Sequence, residues 1–335
     1  MKILFINPPL FKREENIWRH IDSCTPPFGL AILAAILQEN EIDVLILDCN
    51  ALLIPLSSLR SHLPRKDFNF IGITATTALI HNSLETADIC RKVYPNATIV
   101  LGGVHPTIMP GECLACPSVD LVIRGEGERS FLRLVSGESI STIPGISFRE
   151  SGKIVNNPED DEPVDLNENP IPAYHLLPMK RYHTALGSSL RSPNIGIISS
   201  RGCPGRCTFC YGHFFGKKVR YRHPQKIYEE ILYLMKNHGI REMAFYDDTF
   251  TTNKQKVIEL CELLLANRTD LTWSCFSRVD TVDLETLKIM KKAGCHQISV
   301  GIESASEKIL KNIRKNISID RATRWSQTVR RPELR

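Results

Sequence analysis

Short apolar runs alternate with amphipathic stretches through most of this chain. The first half opens with a buried run at Ile3–Ile6, closed by Asn7-Pro8-Pro9. Further strand-like runs follow at Val44–Leu47, Phe70–Thr74, Thr98–Leu101 and Asp120–Ile123. Between them lie helical periods at Leu30–Gln38, Leu56–Leu63, Asn82–Val93 and through Leu134. Continuous apolar strands alternating with helices predict a parallel sheet buried on both faces, a Rossmann-like doubly wound α/β domain. Residues 136–190 break the period with glycines, prolines and the acidic run Glu159–Glu162. This segment reads as a linker with one small hairpin, Ile146–Phe148 to Ile154–Asn156, turned at Ser151-Gly152. The acidic run reads as solvated surface.

The alternation resumes in the second half. Strands are expected at Ile195–Ser200, Met243–Tyr246, Trp273–Phe276 and Gln297–Ile302. Helices are expected at Gln225–Asn237, Lys254–Ala266, Leu284–Lys292 and Glu307–Asn316. The repetition predicts a partial (β/α) barrel. The domain plan is therefore 1–135, a linker 136–190, and 191–335.

Composition narrows the class. The chain has 335 residues, 42% hydrophobic and 24% charged, which suits about two globular domains. A net charge of +5, spread along the chain, gives no case for nucleic acid. Eleven cysteines, mostly scattered singly, do not read as a secreted disulfide framework. The apolar run at Ile3–Ile6 is too short for a signal peptide, and no run approaches a membrane span of about 20 residues. A reducing, cytoplasmic location is expected.

The chemistry gathers in Cys203-Pro204-Gly205-Arg206-Cys207-Thr208-Phe209-Cys210. Three thiols at C-x3-C-x2-C follow directly on a strand. Structural zinc normally takes four ligands, often as two C-x-x-C knuckles, and no second knuckle follows. Three thiolates suit a [4Fe–4S] cluster, leaving one iron open to a small molecule. Cys113 and Cys116 form a C-x-x-C without a partner pair. They read as structural, as do Cys24, Cys49, Cys90, Cys261, Cys275 and Cys295.

This loop, with Phe209 just before its third cysteine, resembles the radical S-adenosylmethionine superfamily. The resemblance implies that Cys203, Cys207 and Cys210 hold the cluster and that the open iron chelates S-adenosylmethionine. Electron transfer would then cleave that molecule to methionine and a 5′-deoxyadenosyl radical. Asp247 or Asp248 at the end of the second strand would accept from the ammonium. Glu303 would bond the ribose hydroxyls. Arg278 suits the methionine carboxylate, because a guanidinium fork matches a carboxylate.

The first half resembles the cobalamin-binding domain that precedes many such enzymes. It carries Asn-Pro-Pro, Pro-Pro-Phe-Gly-Leu, Gly-Gly-Val-His-Pro-Thr and Gly-Glu-Gly-Glu. Ligands on such sheets bind at the carboxyl ends of the strands. Thr74, Thr76, Gly102, Gly103, Thr107, Gly125 and Glu126 fall there. The glycines would allow a large ligand close to the backbone, and the threonines would donate hydroxyls to it. No G-x-G-x-x-G argues for a dinucleotide, and no D-x-H-x-x-G offers a histidine to cobalt. His105 follows the glycine pair but lies outside that motif.

The resemblance implies a radical enzyme carrying out methyl transfer or related C–H chemistry on a small or lipid-like molecule. An electron donor such as flavodoxin or ferredoxin would reduce it. Two alternatives stand beside it: a radical enzyme whose first domain binds no corrinoid, and a truncated, inactive cluster- or corrinoid-binding protein. A complete barrel of this type has six strands and four are counted here, and Arg321–Arg335 is polar. An exposed barrel edge is therefore expected.

Overall fold

The computed structural model describes residues 1–11, 23–160, 162–185, 187–211, 214–216 and 218–330. Asp161 of the acidic run, the charged stretch at 12–22, and residues 331–335 lie outside the described residues. The chain divides into two compact units, Met1–Tyr182 and His183–Arg335.

The first unit is built on β1 (Lys2–Asn7), β2 (Asp43–Asp48), β3 (Phe70–Thr74), β4 (Thr98–Gly102) and β5 (Leu121–Ile123). These are parallel, in the order β2-β1-β3-β4-β5. Its helices are α1 (Phe28–Glu39), α2 (Leu59–His62), α3 (Ile80–Val93), α4 (Val104–Ile108), α5 (Pro110–Leu114) and α6 (Gly127–Val135). Alternation along β1 shows why the sheet needs two covers. Ile3 and Phe5 join Leu30 and Ala34 of α1 and Phe131 and Leu134 of α6 in one core. Leu4 and Ile6 join Leu59, Ile80, Ala87 and Cys90 in the other. Successive strand side chains point to opposite faces, so both faces are apolar and both are covered.

The segment expected as a linker belongs largely to this unit. Strands β6 (Ile146–Glu150) and β7 (Lys153–Asn156) extend the sheet antiparallel, β6 pairing with β5 at Leu121–Phe148. Their turn, Ser151-Gly152, has φ of 50° and 77°, the left-handed pair that suits a two-residue hairpin. Further on, the Ala173 N–H donates to the Ala31 carbonyl at 3.0 Å. Tyr182 Oη donates to buried Asp48 at 2.7 Å. Proline-rich composition hid these anchors, because they depend on contacts distant in sequence.

The second unit holds β8 (Asn194–Ile197), β11 (Glu242–Phe245), β12 (Thr272–Ser277) and β13 (Cys295–Val300), all parallel, in the order β13-β12-β11-β8. Helices α7 (Pro224–His238), α8 (Lys254–Ala266), α9 (Leu284–Lys292), α10 (Glu307–Asn312) and α11 (Ile319–Val329) alternate with and follow them. Helix α7 ends on Gly239 at φ 67°, the left-handed stop that glycine adopts without strain. β13 ends the sheet among the described residues; Gln297 is exposed and Ile298–Val300 are half-buried. The polar ending forms α11 rather than a strand, its apolar positions Ile319 and Trp325 packing near Val279 and Leu310.

Where these strands begin, one carboxylate organises the rim. Glu242, 2% exposed, accepts from the Leu190 N–H at 2.8 Å, the Arg191 N–H at 2.7 Å and Thr272 Oγ1 at 2.9 Å. His296 Nε2 lies 2.9 Å from its other oxygen.

Candidate functional site

The three cysteines leave β8 through a short ladder that the sequence reading did not anticipate. Residues Ser200–Arg201 (β9) pair antiparallel with Arg220–Tyr221 (β10), so the cluster loop is closed at its base. Gly202, at φ 97°, makes this possible: a β-carbon there would lie 2.7 Å from the Lys218 carbonyl oxygen.

Gly205 sits between the first two thiols. A β-carbon on it would lie 3.3 Å from Cys203 Sγ and 3.9 Å from Cys207 Sγ, which places both sulfurs around one point. Cys210 is exposed, as is Phe209. Among the described residues no group of three His, Cys, Asp or Glu side chains converges on one metal ion. A cube of four irons asks for less convergence, since each thiolate binds its own iron. The donor set fits a [4Fe–4S] cluster and is a poor fit to tetrahedral zinc.

The carboxyl ends of the neighbouring strands surround this loop. Asp247 and Asp248 follow β11, yet their environments differ. Asp247 is 2% exposed and accepts from the Ser199 N–H at 2.7 Å and from both Ser199 Oγ and Ser200 Oγ at 2.5 Å. Burial pushes its carboxyl up from the ordinary range, against the pull of those bonds. It is a strut between β11 and the chain leaving β8, so it has no oxygen to offer a ligand. Asp248 is exposed and accepts from the Gly202 N–H. Thr249 Oγ1 lies 3.9 Å from Cys203 Sγ.

Arg278 follows β12. Its Nε and Nη2 bind Asp280 at 2.9 Å each, and Nη2 also donates to the Lys315 carbonyl at 2.9 Å. Its Nη1 faces the loop, 3.8 Å from the β-carbon position of Gly205. The Asp280 carboxylate holds the guanidinium charged, with smaller help from the Cys207 and Cys203 thiols. Glu303 follows β13 at φ 72° and binds Lys315 Nζ at 2.8 Å. Lys315 also lies over the Phe209 ring, 5.8 Å from its centre. The Thr208 N–H donates to the Ile313 carbonyl at 3.0 Å in the same turn.

Sequence reasoning missed Lys315 entirely, because nothing in Asn312-Ile313-Arg314-Lys315 marks a site. It also missed Tyr246 and Phe276, which stack at 5.9 Å with planes 26° apart beside Asp247 and Arg278. Phe276 is 44% exposed, a large apolar side chain at the end of a barrel strand. In the sequence Phe276 reads as the last residue of an expected strand, and its exposure is visible only in the fold.

In the first unit, the loops after β1, β3, β4 and β5 stand side by side. The strand order reverses at β1, which puts the crevice between the β1 and β3 loops. Asn82 Nδ2 donates to the Pro9 carbonyl at 2.7 Å and steadies the first of these loops. Gly103 lies at φ 106°, and a β-carbon on it would sit 2.8 Å from the Ala75 carbonyl oxygen and 3.1 Å from Thr74 Oγ1. The second glycine of the pair is thus needed for packing against the β3 loop. Gly102 has ordinary clearance. Thr107 spends its hydroxyl proton on the Gly103 carbonyl at 2.8 Å and accepts from the Gly125 N–H at 2.9 Å. The hydroxyl expected to serve a ligand is therefore a staple between the β4 and β5 loops. Thr76 is exposed, and among the described residues none beyond the chain neighbours of Gly125, at φ 71°, comes within 4 Å of its β-carbon position. Glu126 is half-buried at the start of α6. Open space over a glycine loop fits the approach of a flat, bulky group such as a corrin. His105 is 5% exposed, its Nδ1 is 3.3 Å from Thr77 Oγ1 and its Nε2 3.5 Å from Glu112. The C-x-x-C pair packs inward: Cys113 is fully buried, and burial pushes its thiol up to about 12.

These features define a two-unit α/β protein with a three-thiol loop at the mouth of a parallel half-barrel. Comparison with known proteins gives it a family. Residues 17–135 match the B12 binding domain and residues 197–331 match the radical SAM superfamily. An uncharacterized methyltransferase of Pyrococcus horikoshii is 38% identical over 324 residues, covering 95% of this chain and 69% of that protein. An anaerobic magnesium-protoporphyrin IX monomethyl ester cyclase of Rubrivivax gelatinosus is 28% identical, covering 98% of this chain and 60% of that one. The cobalamin-dependent S-adenosylmethionine radical enzyme OxsB, solved with aqua-cobalamin and S-adenosylmethionine bound, superposes with a TM-score of 0.79. Its sequence identity is 20%, and the match covers 98% of this chain and 47% of OxsB. The chain belongs to the radical S-adenosylmethionine superfamily and carries the B12-binding domain in front. Between about half and two thirds of each relative's length is spanned by it. No described helix is long and apolar enough to cross a membrane.

Proposed function

We propose that this chain is the cofactor-binding part of a cobalamin-dependent radical S-adenosylmethionine enzyme that transfers a methyl group to a small or lipid-like substrate. Bound to it, a [4Fe–4S] cluster supplies the electron that cleaves S-adenosylmethionine, and cobalamin supplies the methyl group. Cys203, Cys207 and Cys210 hold the cluster. Asp248, rather than the consumed Asp247, accepts from the ammonium of S-adenosylmethionine. Arg278 presents Nη1, the part of its guanidinium not engaged by Asp280 or the Lys315 carbonyl, to the carboxylate. Glu303 takes the ribose diol. Tyr246 and Phe276 form an apolar wall that keeps water from the reacting end. Thr76, Gly125 and Glu126 border the corrin, while Gly102, Gly103, Thr74 and Thr107 shape the loops beneath it. An electron donor of the flavodoxin or ferredoxin type supplies the reducing equivalent.

The observation that carries this reading is the placement of Arg278 and Glu303 on the same turn as the cluster loop, through Lys315 and Ile313. Similarity to the uncharacterized methyltransferase of Pyrococcus horikoshii favours methyl transfer over ring closure. Anaerobic reconstitution with iron, sulfide and hydroxocobalamin tests it. The expected result is a loaded cluster, a corrinoid retained through gel filtration, and 5′-deoxyadenosine on reduction with S-adenosylmethionine. A full cluster without 5′-deoxyadenosine rejects catalysis by this chain. A loaded cluster with no retained corrinoid rejects the cobalamin half.

A further inference from the structure

Lys315 joins three parts of the site, yet no motif includes it. Its side chain is about nine-tenths buried. Its ammonium pairs with Glu303 Oε1 at 2.8 Å and lies over the ring of Phe209, while its carbonyl receives Arg278 Nη2. Room for the pair comes from Gly301. A β-carbon there would sit 2.4 Å from Glu303 Oε1 and 3.0 Å from Lys315 Nζ. The backbone is held against its preference on both sides of the contact. Glu303, Arg314 and Asn316 lie at φ of 72°, 52° and 55°, three of the seven non-glycine residues with positive φ among those described. Strained backbone of this kind persists where the surroundings over-determine it, and it clusters at ligand clamps.

We infer that Lys315 is a positioning residue for S-adenosylmethionine. It fixes Glu303 by one carboxylate oxygen, so that the other oxygen meets the ribose diol. It steadies Phe209, and with it the cluster loop, through the same ammonium. A carboxylate with one oxygen already bound to a cation has lost the freedom to rotate away. The cost of ordering it is met before the ligand arrives, which is how a preorganised group strengthens binding. This inference rests on the reading of Glu303 as the diol's partner given above.

Binding measured on anaerobic, cluster-loaded protein tests it, with S-adenosylmethionine and its 2′,3′-dideoxyribose analogue as the two probes. Wild type is expected to bind the analogue about tenfold more weakly, the value of one well-placed charge-assisted hydrogen bond. In Lys315→Met the Kd for S-adenosylmethionine should rise about tenfold while that for the analogue changes less than about twofold, so the preference for the diol collapses. Lys315→Arg should restore much of the preference. Gly301→Ala, which crowds the Glu303 carboxylate, should mimic Lys315→Met with the lysine still present. Equal weakening of both probes overturns the inference in favour of a plain structural clamp. Unchanged or tightened binding in Lys315→Met also overturns it. A wild-type protein with a full cluster that binds neither probe rejects the S-adenosylmethionine site itself, and the inference with it.

Discussion

Asp247 binds Ser199 twice, accepting its N–H at 2.7 Å and its hydroxyl at 2.5 Å. This is the seam that fixes the chain leaving β8, and therefore the root of the cluster loop, to the end of β11. Removing the carboxylate strands one N–H and two hydroxyls in a buried place. Asp247→Ala should lower stability by about 3 kcal/mol, read as a lower urea midpoint at unchanged slope. Asp247→Asn should cost less, because the serine hydroxyls can rotate to accept from the amide. Both variants should load less cluster than wild type, in the same order.

Eleven cysteines make a contrast experiment possible. Cys207→Ala should lose the iron–sulfur absorbance and stoichiometric iron after reconstitution. Cys113→Ala should keep both, because Cys113 is enclosed in the apolar core of the first unit. Its cost should be a packing loss of about 1 kcal/mol. Iron analysis beside thermal melts checks the pair; a Cys207→Ala protein with full iron would contradict the ligand assignment.

Two glycines with positive φ should respond differently. Gly103→Ala forces a β-carbon onto the Ala75 carbonyl, so it should cost about 3 kcal/mol or more. Gly125→Ala meets no atom of the other described residues and should cost only about 1 kcal/mol, the strain of a left-handed residue. If a corrin lies over Gly125, that milder variant should still weaken hydroxocobalamin retention several-fold (roughly the effect of about 1 kcal/mol of lost contact). Titration by absorbance separates the two effects.

Asp283 caps α9 and carries a pH signature. It accepts from the Thr286 N–H at 2.9 Å and from Lys254 Nζ at 2.6 Å. Lys254 first, then the Thr286 bonds, hold its carboxyl down at about 2. A depressed carboxylate stabilises the fold above its unfolded pKa of 3.8, and the contribution is lost as pH falls from there through about 2. Asp283→Ala should cost about 1 kcal/mol at neutral pH, and the difference from wild type should shrink across that acid window. Chemical denaturation at pH 7, 4 and 2.5 follows it.

The strands and their order of appearance were legible because each is a short apolar run bounded by turn residues. The cluster loop was legible because its chemistry is local, with three thiols in eight residues. Other features depend on partners far away in sequence. Asp247 and Asp248 are neighbours with the same side chain, and only the fold tells that one is consumed by Ser199 and Ser200. Thr107 reads as a ligand hydroxyl until Gly125 is seen across 18 residues. The β6–β7 hairpin was read from the sequence, yet its place in the first sheet rests on the pairing of Phe148 with Leu121. Lys315 carries no local mark, since its meaning comes from Glu303, Phe209 and Arg278 together.

The carboxylate of Glu242 ties together the starting ends of β11, β12 and β13 and the approach to β8. Every loop argued to bind a cofactor in this unit lies at the other end of the same strands. The register is thus locked at the edge remote from the chemistry. Loops on the reactive side can rearrange around an incoming molecule without loosening the sheet that carries them.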